Sequence, residues 1–151
     1  MVSYDHGCKS GGGSRLTLDL KPAIDTEAGA IVFTIHKQSP DYRGVGYAWT
    51  ADDYVAISVR VQQLSAFLEV LDGVANEIKS GHGIRTKEED GTLSILHVDY
   101  VEDPFCGYAM HIQNNMPDGR KLDGRILLTL REASNMRDII KSSFSRLAFG
   151  E

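Results

Sequence analysis

Aromatic and basic residues cluster around two similar turns of this sequence. Around the first turn lie His36, Lys37, Tyr42, Arg43, Tyr47 and Trp49, and around the second lie His111, Arg120 and Lys121. Single-stranded nucleic acids are held by cations at their phosphates and by aromatic rings on which unstacked bases lie. The pattern favours such a ligand, although Tyr47 and Trp49 would suit a hydrophobic core equally well.

The two turns share the pattern Pro-Asp-x-Arg, at residues 40–43 and 117–120. Proline presets φ for the second position of a turn, and aspartate can hydrogen-bond the backbone just after it. Two roles are open for Arg43 and Arg120. Each arginine either pairs with the aspartate of its own turn or offers a cation to a ligand.

A catalytic or metal-binding constellation is not visible in the sequence. The five histidines, His6, His36, His82, His97 and His111, stand in no His-x-x-x-His or His-Glu-x-x-His context,. His36 and His111 fall on the outward side of similar strands, and Cys106 has no oriented base beside it. The glycines at 11–13 precede a strand and not the helix that a phosphate-binding loop needs. We therefore expect no catalytic residue, no metal, no cofactor and no enzymatic activity.

Composition sets the outer limits for fold and partner. The 151 residues suit one domain, and the net charge of −5 excludes a broadly basic surface,. Charge is nevertheless segregated, because residues 107–146 carry a positive excess. Cys8 and Cys106 cannot form a disulfide framework, and the sequence has neither a secretory signal nor a long apolar run,. These features predict a cytoplasmic protein.

Hydrophobic periodicity predicts strands followed by a helix in two successive segments. Period-two alternation predicts strands at 15–20, 30–37, 46–50 and 54–61, and helical spacing of apolar residues predicts a helix over 63–79,. Residues 1–13 are predicted to be a flexible arm, and residues 80–91 a polar linker. A second helix is predicted over 132–149.

The second half of the chain repeats the pattern of the first. Sliding residues 14–40 onto 91–117 matches Leu16 with Leu93, Leu18 with Ile95, Phe33 with Met110, and the two turns with each other. A second register matches Ile57 with Ile126, Val59 with Leu128, and Phe67 with Met136. The fold predicted is α+β: a single domain over 14–151, made of two ββββα-type pseudo-repeats at 14–79 and 91–149 whose antiparallel sheets are each closed by a helix.

In this order of elements the chain resembles the Whirly family of single-stranded DNA-binding proteins. It is more distantly similar to the positive-cofactor-four coactivators and to the mitochondrial guide-RNA-binding proteins. The resemblance lies in Arg15-Leu-Thr-Leu, Tyr47-Ala-Trp-Thr, Tyr108-Ala-Met-His-Ile-Gln-Asn-Asn and Arg125-Ile-Leu-Leu-Thr-Leu. It implies a homo-oligomer, a dimer or tetramer, that binds single strands with little sequence preference. The family's Lys-Gly-Lys-Ala-Ala-Leu opening is replaced here by Gly12-Gly-Ser-Arg-Leu.

Residues and resemblance together predict a single-stranded DNA-binding protein that acts in replication, recombination or transcription. The predicted nucleic-acid-binding residues are Arg15, His36, Lys37, Tyr42, Arg43, Tyr47, Trp49, His111, Arg120 and Lys121. Two alternatives stay open: an RNA-binding protein of the same fold, and a protein-interaction module that uses the same exposed strands against another chain.

Overall fold

Two four-stranded antiparallel sheets and two helices make up the fold. A computed structural model describes residues 2–6, 14–25, 27–40, 47–73, 81–102 and 106–150. The first sheet has the order β1 (Val2–His6), β2 (Ser14–Lys21), β3 (Ala30–Pro40) and β4 (Tyr47–Arg60). The second has the order β5 (Gly81–Lys87), β6 (Leu93–Val101), β7 (Gly107–Asn115) and β8 (Lys121–Thr129). A 3₁₀ turn (Val61–Gln63) leads into α1 (Leu64–Asp72), and α2 (Leu130–Phe149) follows β8. The predicted α+β class is confirmed.

The core forms where the alternating apolar faces of both sheets meet the two helices. Ile31, Phe33 and Ile35 on β3 are fully buried, as are Met110 and Ile112 on β7. Their neighbours along each strand point outward and are more exposed, which is the period-two pattern that the sequence predicts,. The helices add Phe67, which lies with its ring 5.4 Å from that of Phe33, and the buried side chains Leu64, Met136 and Ile140.

The two sheets cross instead of running parallel to each other. β4 contacts all four strands of the second sheet, and β8 contacts all four strands of the first,. Gly124 on β8 permits the close approach, because a β-carbon there would lie 2.9 Å from Val55 Cγ2 and 3.1 Å from Ile35 Cγ2. A larger residue at this position would push the sheets apart.

Asn114 joins the sheets beside that crossing. Its side-chain amide donates to the Ala56 carbonyl oxygen at 2.9 Å and accepts from the Ala56 N–H at 3.3 Å. The same amide nitrogen donates to Ser94 Oγ at 2.9 Å. Since β4 is an edge strand, the carboxamide satisfies backbone groups that a neighbouring strand would otherwise pair,.

The strand count of the first half is right, but one of its strands is not the predicted one. Most of the residues predicted as two short strands, 46–50 and 54–61, lie in the single long strand β4 (Tyr47–Arg60). The fourth strand is β1, which lies within the predicted arm and pairs antiparallel with β2 from Val2 opposite Leu18 to His6 opposite Ser14. The unpaired edge of β2 offers backbone partners, and this overrides the weak local signal of Val2–His6. Residues 7–13 lie outside the described residues.

A strand also occupies most of the predicted linker at 80–91. β5 pairs with β6 along its whole length and buries Ile84, its one large apolar residue. The connecting turn contains Gly91 at φ +94°, where glycine avoids a steric cost, and Asp90 accepts a hydrogen bond from the Thr92 N–H at 2.9 Å,. The linker prediction is therefore wrong, and the second sheet begins at Gly81.

Both halves have four strands in sequential order and a helix after them, but one part of the predicted alignment between the halves is shifted. Leu16 lies opposite Ile35 and Leu96 lies opposite Ile112, so Leu16 corresponds to Leu96 and not to Leu93. The cause is loop length: residues 22–29 connect β2 to β3, whereas residues 102–106, three fewer, connect β6 to β7. Because the shift is an odd number of residues, it moves each side chain of the strand from one face of the sheet to the other. The match of Ile57 with Ile126 is confirmed, because these residues lie opposite Phe33 and Met110.

Both helices are fixed by specific contacts at their ends. Thr129 and Glu132 form a reciprocal capping box at the start of α2, with Glu132 N–H to Thr129 Oγ1 at 3.1 Å and Thr129 N–H to Glu132 Oε1 at 3.0 Å,. At the other end of α2, the β2–β3 loop donates backbone hydrogen bonds from Ala23 and Gly29 to the carbonyls of Arg146 and Leu147. For the part of the chain described, no helix is long and apolar enough to cross a membrane.

The helix predicted over 63–79 is observed from Leu64 to Asp72. Tyr108 on β7 donates from its hydroxyl to the Val70 carbonyl at 2.9 Å, near the end of this helix. Residues 74–80 are outside the described ranges.

Candidate nucleic-acid interface

The outer face of the first sheet carries one row of cationic and aromatic residues across three strands. Arg15 on β2 lies directly opposite His36 on β3, and His36 lies directly opposite Tyr54 on β4. The His36 and Tyr54 rings are 5.9 Å apart between centroids. All three positions have outward parity, because the adjacent residues Leu16, Ile35 and Val55 are buried.

Tyr54 is the member of this row that the predicted site lacks. Its side chain is 47% exposed, although it begins a strongly apolar strand segment. Strand parity was the available signal, since Val55, Ile57 and Val59 define the buried face and leave Tyr54 on the other. An exposed tyrosine beside an arginine and an imidazole provides a surface on which a base can stack.

The surroundings of this row are small and polar. The next row towards the strand centres contains Thr17, Thr34 and Ala56 in register. Beyond it, Asp19 is paired with Lys21 at 2.8 Å. Asp5 on β1 occupies the position opposite Arg15. Among the side chains that the structure describes, Arg15 is the cation of this row, and no large aliphatic side chain lies next to the two rings.

Five of the predicted site residues surround the β3–β4 hairpin. Lys37 lies on β3 opposite Ser14, and Tyr47 and Trp49 lie on β4 opposite Pro40 and Gln38. The structure describes the backbone of these three residues and not their side chains. Tyr42 and Arg43 lie outside the described residues. The binding roles of all five residues stay predictions. For Trp49, both predicted roles, as a core residue and as a binding residue, stay open.

Arg120 holds its own turn. Its Nε lies 2.7 Å from Asp118 Oδ2, and its backbone N–H donates to Asp118 Oδ1 at 3.0 Å. The backbone hydrogen bond first, and then the guanidinium, hold the pKa of Asp118 below its usual value,. Gly119 adopts φ +92° and completes the turn. Arg120 therefore pairs with the aspartate of its own turn, and its contact with a ligand stays a prediction. Both side chains of the pair remain largely exposed to solvent.

The outer face of the second sheet has a groove of about 840 Å³. His97, Asp99, Ala109, His111, Asp123 and Arg125 line it. His97, His111 and Arg125 form a cross-strand row, and His111 Nε2 lies 3.4 Å from Asp123 Oδ2. Of these residues only His111 belongs to the predicted site. Lys121, also predicted, is exposed at the start of β8, opposite Asn115.

The two predicted histidines share outward parity but lie on different sheets. Ile35 and Ile112 occupy corresponding positions, so His36 corresponds to Gln113, and His111 corresponds to Thr34. The structure therefore separates the predicted residues into a first-sheet group and a second-sheet group. Within the described ranges, no three histidine, cysteine or acidic side chains converge in a way that could hold a metal ion.

Three solved structures are similar to this chain over nearly its whole length. WHY1 from Arabidopsis thaliana has 14% sequence identity and a TM-score of 0.70, with 99% of this chain and 88% of that chain covered. WHY3 from Arabidopsis thaliana has 13% identity and a TM-score of 0.69, with 97% and 88% covered. The plant transcriptional regulator PBF-2 has 13% identity and a TM-score of 0.72, with 97% and 90% covered.

Sequence comparison alone does not reveal this relationship. No protein-family model matches the chain, and no curated protein matches it. At 13–14% identity, the likeness establishes the architecture alone. The chain has the Whirly-like fold, in agreement with the resemblance drawn from its sequence.

Proposed function

We propose that this protein binds single-stranded DNA without catalysing a reaction, and that the outer face of the first sheet is its primary contact surface. The row Arg15, His36 and Tyr54 is the observation that carries the proposal. The Whirly-like fold, shared with the transcriptional regulator PBF-2, supports it. Transcription, replication and recombination all provide such a substrate.

The chemistry of the row suits a flexible polyanion with exposed bases. Neighbouring strands lie about 4.8 Å apart, so the three side chains form a continuous strip about 10 Å wide. Arg15 supplies a cation for phosphate, and the Tyr54 ring supplies a stacking surface for a base. Stacking of one base on an aromatic side chain contributes about 1–3 kcal/mol and is tolerant of sequence.

The remaining predicted residues extend this surface in the proposal. Lys37, Tyr47 and Trp49 lie on β3 and β4, and Tyr42 and Arg43 lie between these strands in the sequence. His111 and Lys121 lie on the second sheet, and Arg120 lies in the turn just before β8. We propose that a homo-oligomer, a dimer or tetramer, brings both groups to one strand of DNA. This arrangement would concentrate cations locally in a chain whose net charge is −5.

The test is binding of a fluorescently labelled oligonucleotide of about 30 nucleotides, followed by anisotropy at several salt concentrations. We expect single-stranded DNA to bind better than duplex and its affinity to fall with salt. Tyr54→Ala should weaken binding about tenfold, whereas Tyr54→Phe should retain most of the affinity because its ring still stacks.

Phe149→Ala provides the matched control. Phe149 is an aromatic residue, 77% exposed, at the end of α2 and away from the row. Binding should be unchanged in this variant. The proposal fails if wild-type protein binds no single strand at low salt, or binds duplex equally well. Preference for RNA would assign the surface to RNA instead, and full affinity in Tyr54→Ala would remove the row from the contact surface.

A further inference from the structure

The second-sheet groove is open because its side chains lean apart. His97 and His111 lie directly opposite each other on β6 and β7. The His97 ring lies over Gly83 on β5, where a β-carbon would come within 2.9 Å of it. The His111 ring turns the other way, towards Asp123 on β8. Ala109, with only a methyl group, lines the groove in the adjacent row, opposite Asp99.

Two charged groups face this space from opposite walls. Asp99 lies between Gly81 and Ala109 in register, and its carboxylate lies over Gly81, so no side chain beside it fills the groove. Arg125 lies two strands away, about 10 Å across the sheet,. Within the described residues, Asp99 and Arg125 have no hydrogen-bond or ion-pair partner.

The charges of the groove restrict the ligand. Asp99 and Asp123 outnumber Arg125, so the groove carries a net negative charge whenever its two imidazoles are neutral. A phosphate is therefore disfavoured, and the described side chains hold no metal-binding cluster. A neutral ligand that donates to a carboxylate and accepts from a guanidinium fits best.

We propose that this groove binds one unpaired guanine base of the bound DNA strand, an inference that rests on the proposed function. Guanine presents two adjacent donors, N1–H and the 2-amino group, which match the two oxygens of the Asp99 carboxylate. Its O6 and N7 accept from an arginine such as Arg125. The other bases place an acceptor next to their donor on the same edge, where a carboxylate repels it. The imidazoles of His97 and His111 flank the ring.

The test compares strands of thymidine that contain a single central guanine, adenine or inosine, at neutral pH. Inosine lacks the 2-amino group and so removes one donor. We expect the guanine strand to bind wild-type protein about tenfold more tightly than the other two. Asp99→Asn should abolish most of this preference while leaving affinity for the thymidine strand unchanged. Glu69→Gln, the same change on an exposed residue of α1, should leave the preference intact.

Each outcome separates the two proposals. Equal affinity for all three strands overturns the guanine inference and leaves single-strand binding standing. Binding of none of the strands overturns the proposed function itself. A guanine preference that survives Asp99→Asn, in protein with an unchanged melting temperature, removes the groove as its source.

Discussion

Outward-facing residues on strands are recognised by their parity, and the candidate site shows both the strength and the limit of that rule. Alternation places Arg15, His36 and His111 on outer faces, and the structure agrees. The same rule was sufficient to include Tyr54. It could not show that Arg15, His36 and Tyr54 lie side by side, because the pairing of strands depends on contacts between residues far apart in sequence.

The carboxylate of Asp118 allows the contribution of a single side chain to stability to be tested. Its carboxylate accepts from the Arg120 N–H and pairs with the guanidinium, which lowers its pKa in the folded state. A group whose pKa is lowered by folding stabilises the protein above its unfolded pKa, and this stabilisation is lost as pH falls through the folded value.

We expect Asp118→Asn to lower the urea midpoint at neutral pH and to have a much smaller effect at about pH 3. Urea unfolding of both proteins at the two pH values measures this. Lys21→Met is the comparison, because it removes the partner of Asp19 in an exposed ion pair on the other sheet. It tests whether the loss of any surface ion pair lowers the urea midpoint in the same pH-dependent way. A deficit in Asp118→Asn that stays constant with pH would contradict the assignment.

Among the elements, the sequence predicts those with a dense apolar pattern and misses those without one. β3 and α2 have repeated large apolar residues, and their predicted positions, 30–37 and 132–149, are close to the observed ones. β5 contains one large apolar residue and two glycines, and β1 lies in a polar segment. These two strands are specified by the neighbouring strand edges more than by their own residues.

The start of α2 is a local signal that the sequence does encode. Thr129 and Glu132 satisfy each other's backbone N–H groups, three residues apart. Thr129→Ala should lower the free energy of unfolding by about 1 kcal/mol, whereas Thr129→Ser should keep most of the stability because it retains the hydroxyl. Chemical denaturation of the two variants measures the difference. Equal losses in both would show that the methyl group, and not the cap, matters.

For the whole molecule, the crossing of the two sheets decides whether the halves are independent. The repeat alone would allow two separate units, each with four strands and a helix. β4 and β8 instead contact every strand of the opposite sheet, and the buried residues of both halves form one core. We therefore expect a single cooperative unfolding transition.

Replacement of Asn114 tests how much the contact between the two crossed sheets contributes to stability. Replacing it with alanine removes a partner from the Ala56 N–H and carbonyl and from Ser94 Oγ, all partly buried. The loss should be about 1–3 kcal/mol, since polar groups left without partners bear a desolvation cost. Gln113→Ala, the adjacent outward position, should cost much less. Trp49 fluorescence and far-UV circular dichroism should give one common transition, and unfolding in two steps would contradict the interlocked arrangement.

The longer β2–β3 loop makes the two halves non-interchangeable. Its extra three residues shift the repeat register, and the loop also donates from Ala23 and Gly29 to the last carbonyls of α2. The corresponding loop between β6 and β7 is three residues shorter. The two similar halves are thereby distinguished, because the longer loop lies in the first half and holds the end of α2, the helix of the second half. Three extra residues would be neutral in most loops. Here they distinguish the native arrangement of the two halves from the arrangement in which the halves are exchanged.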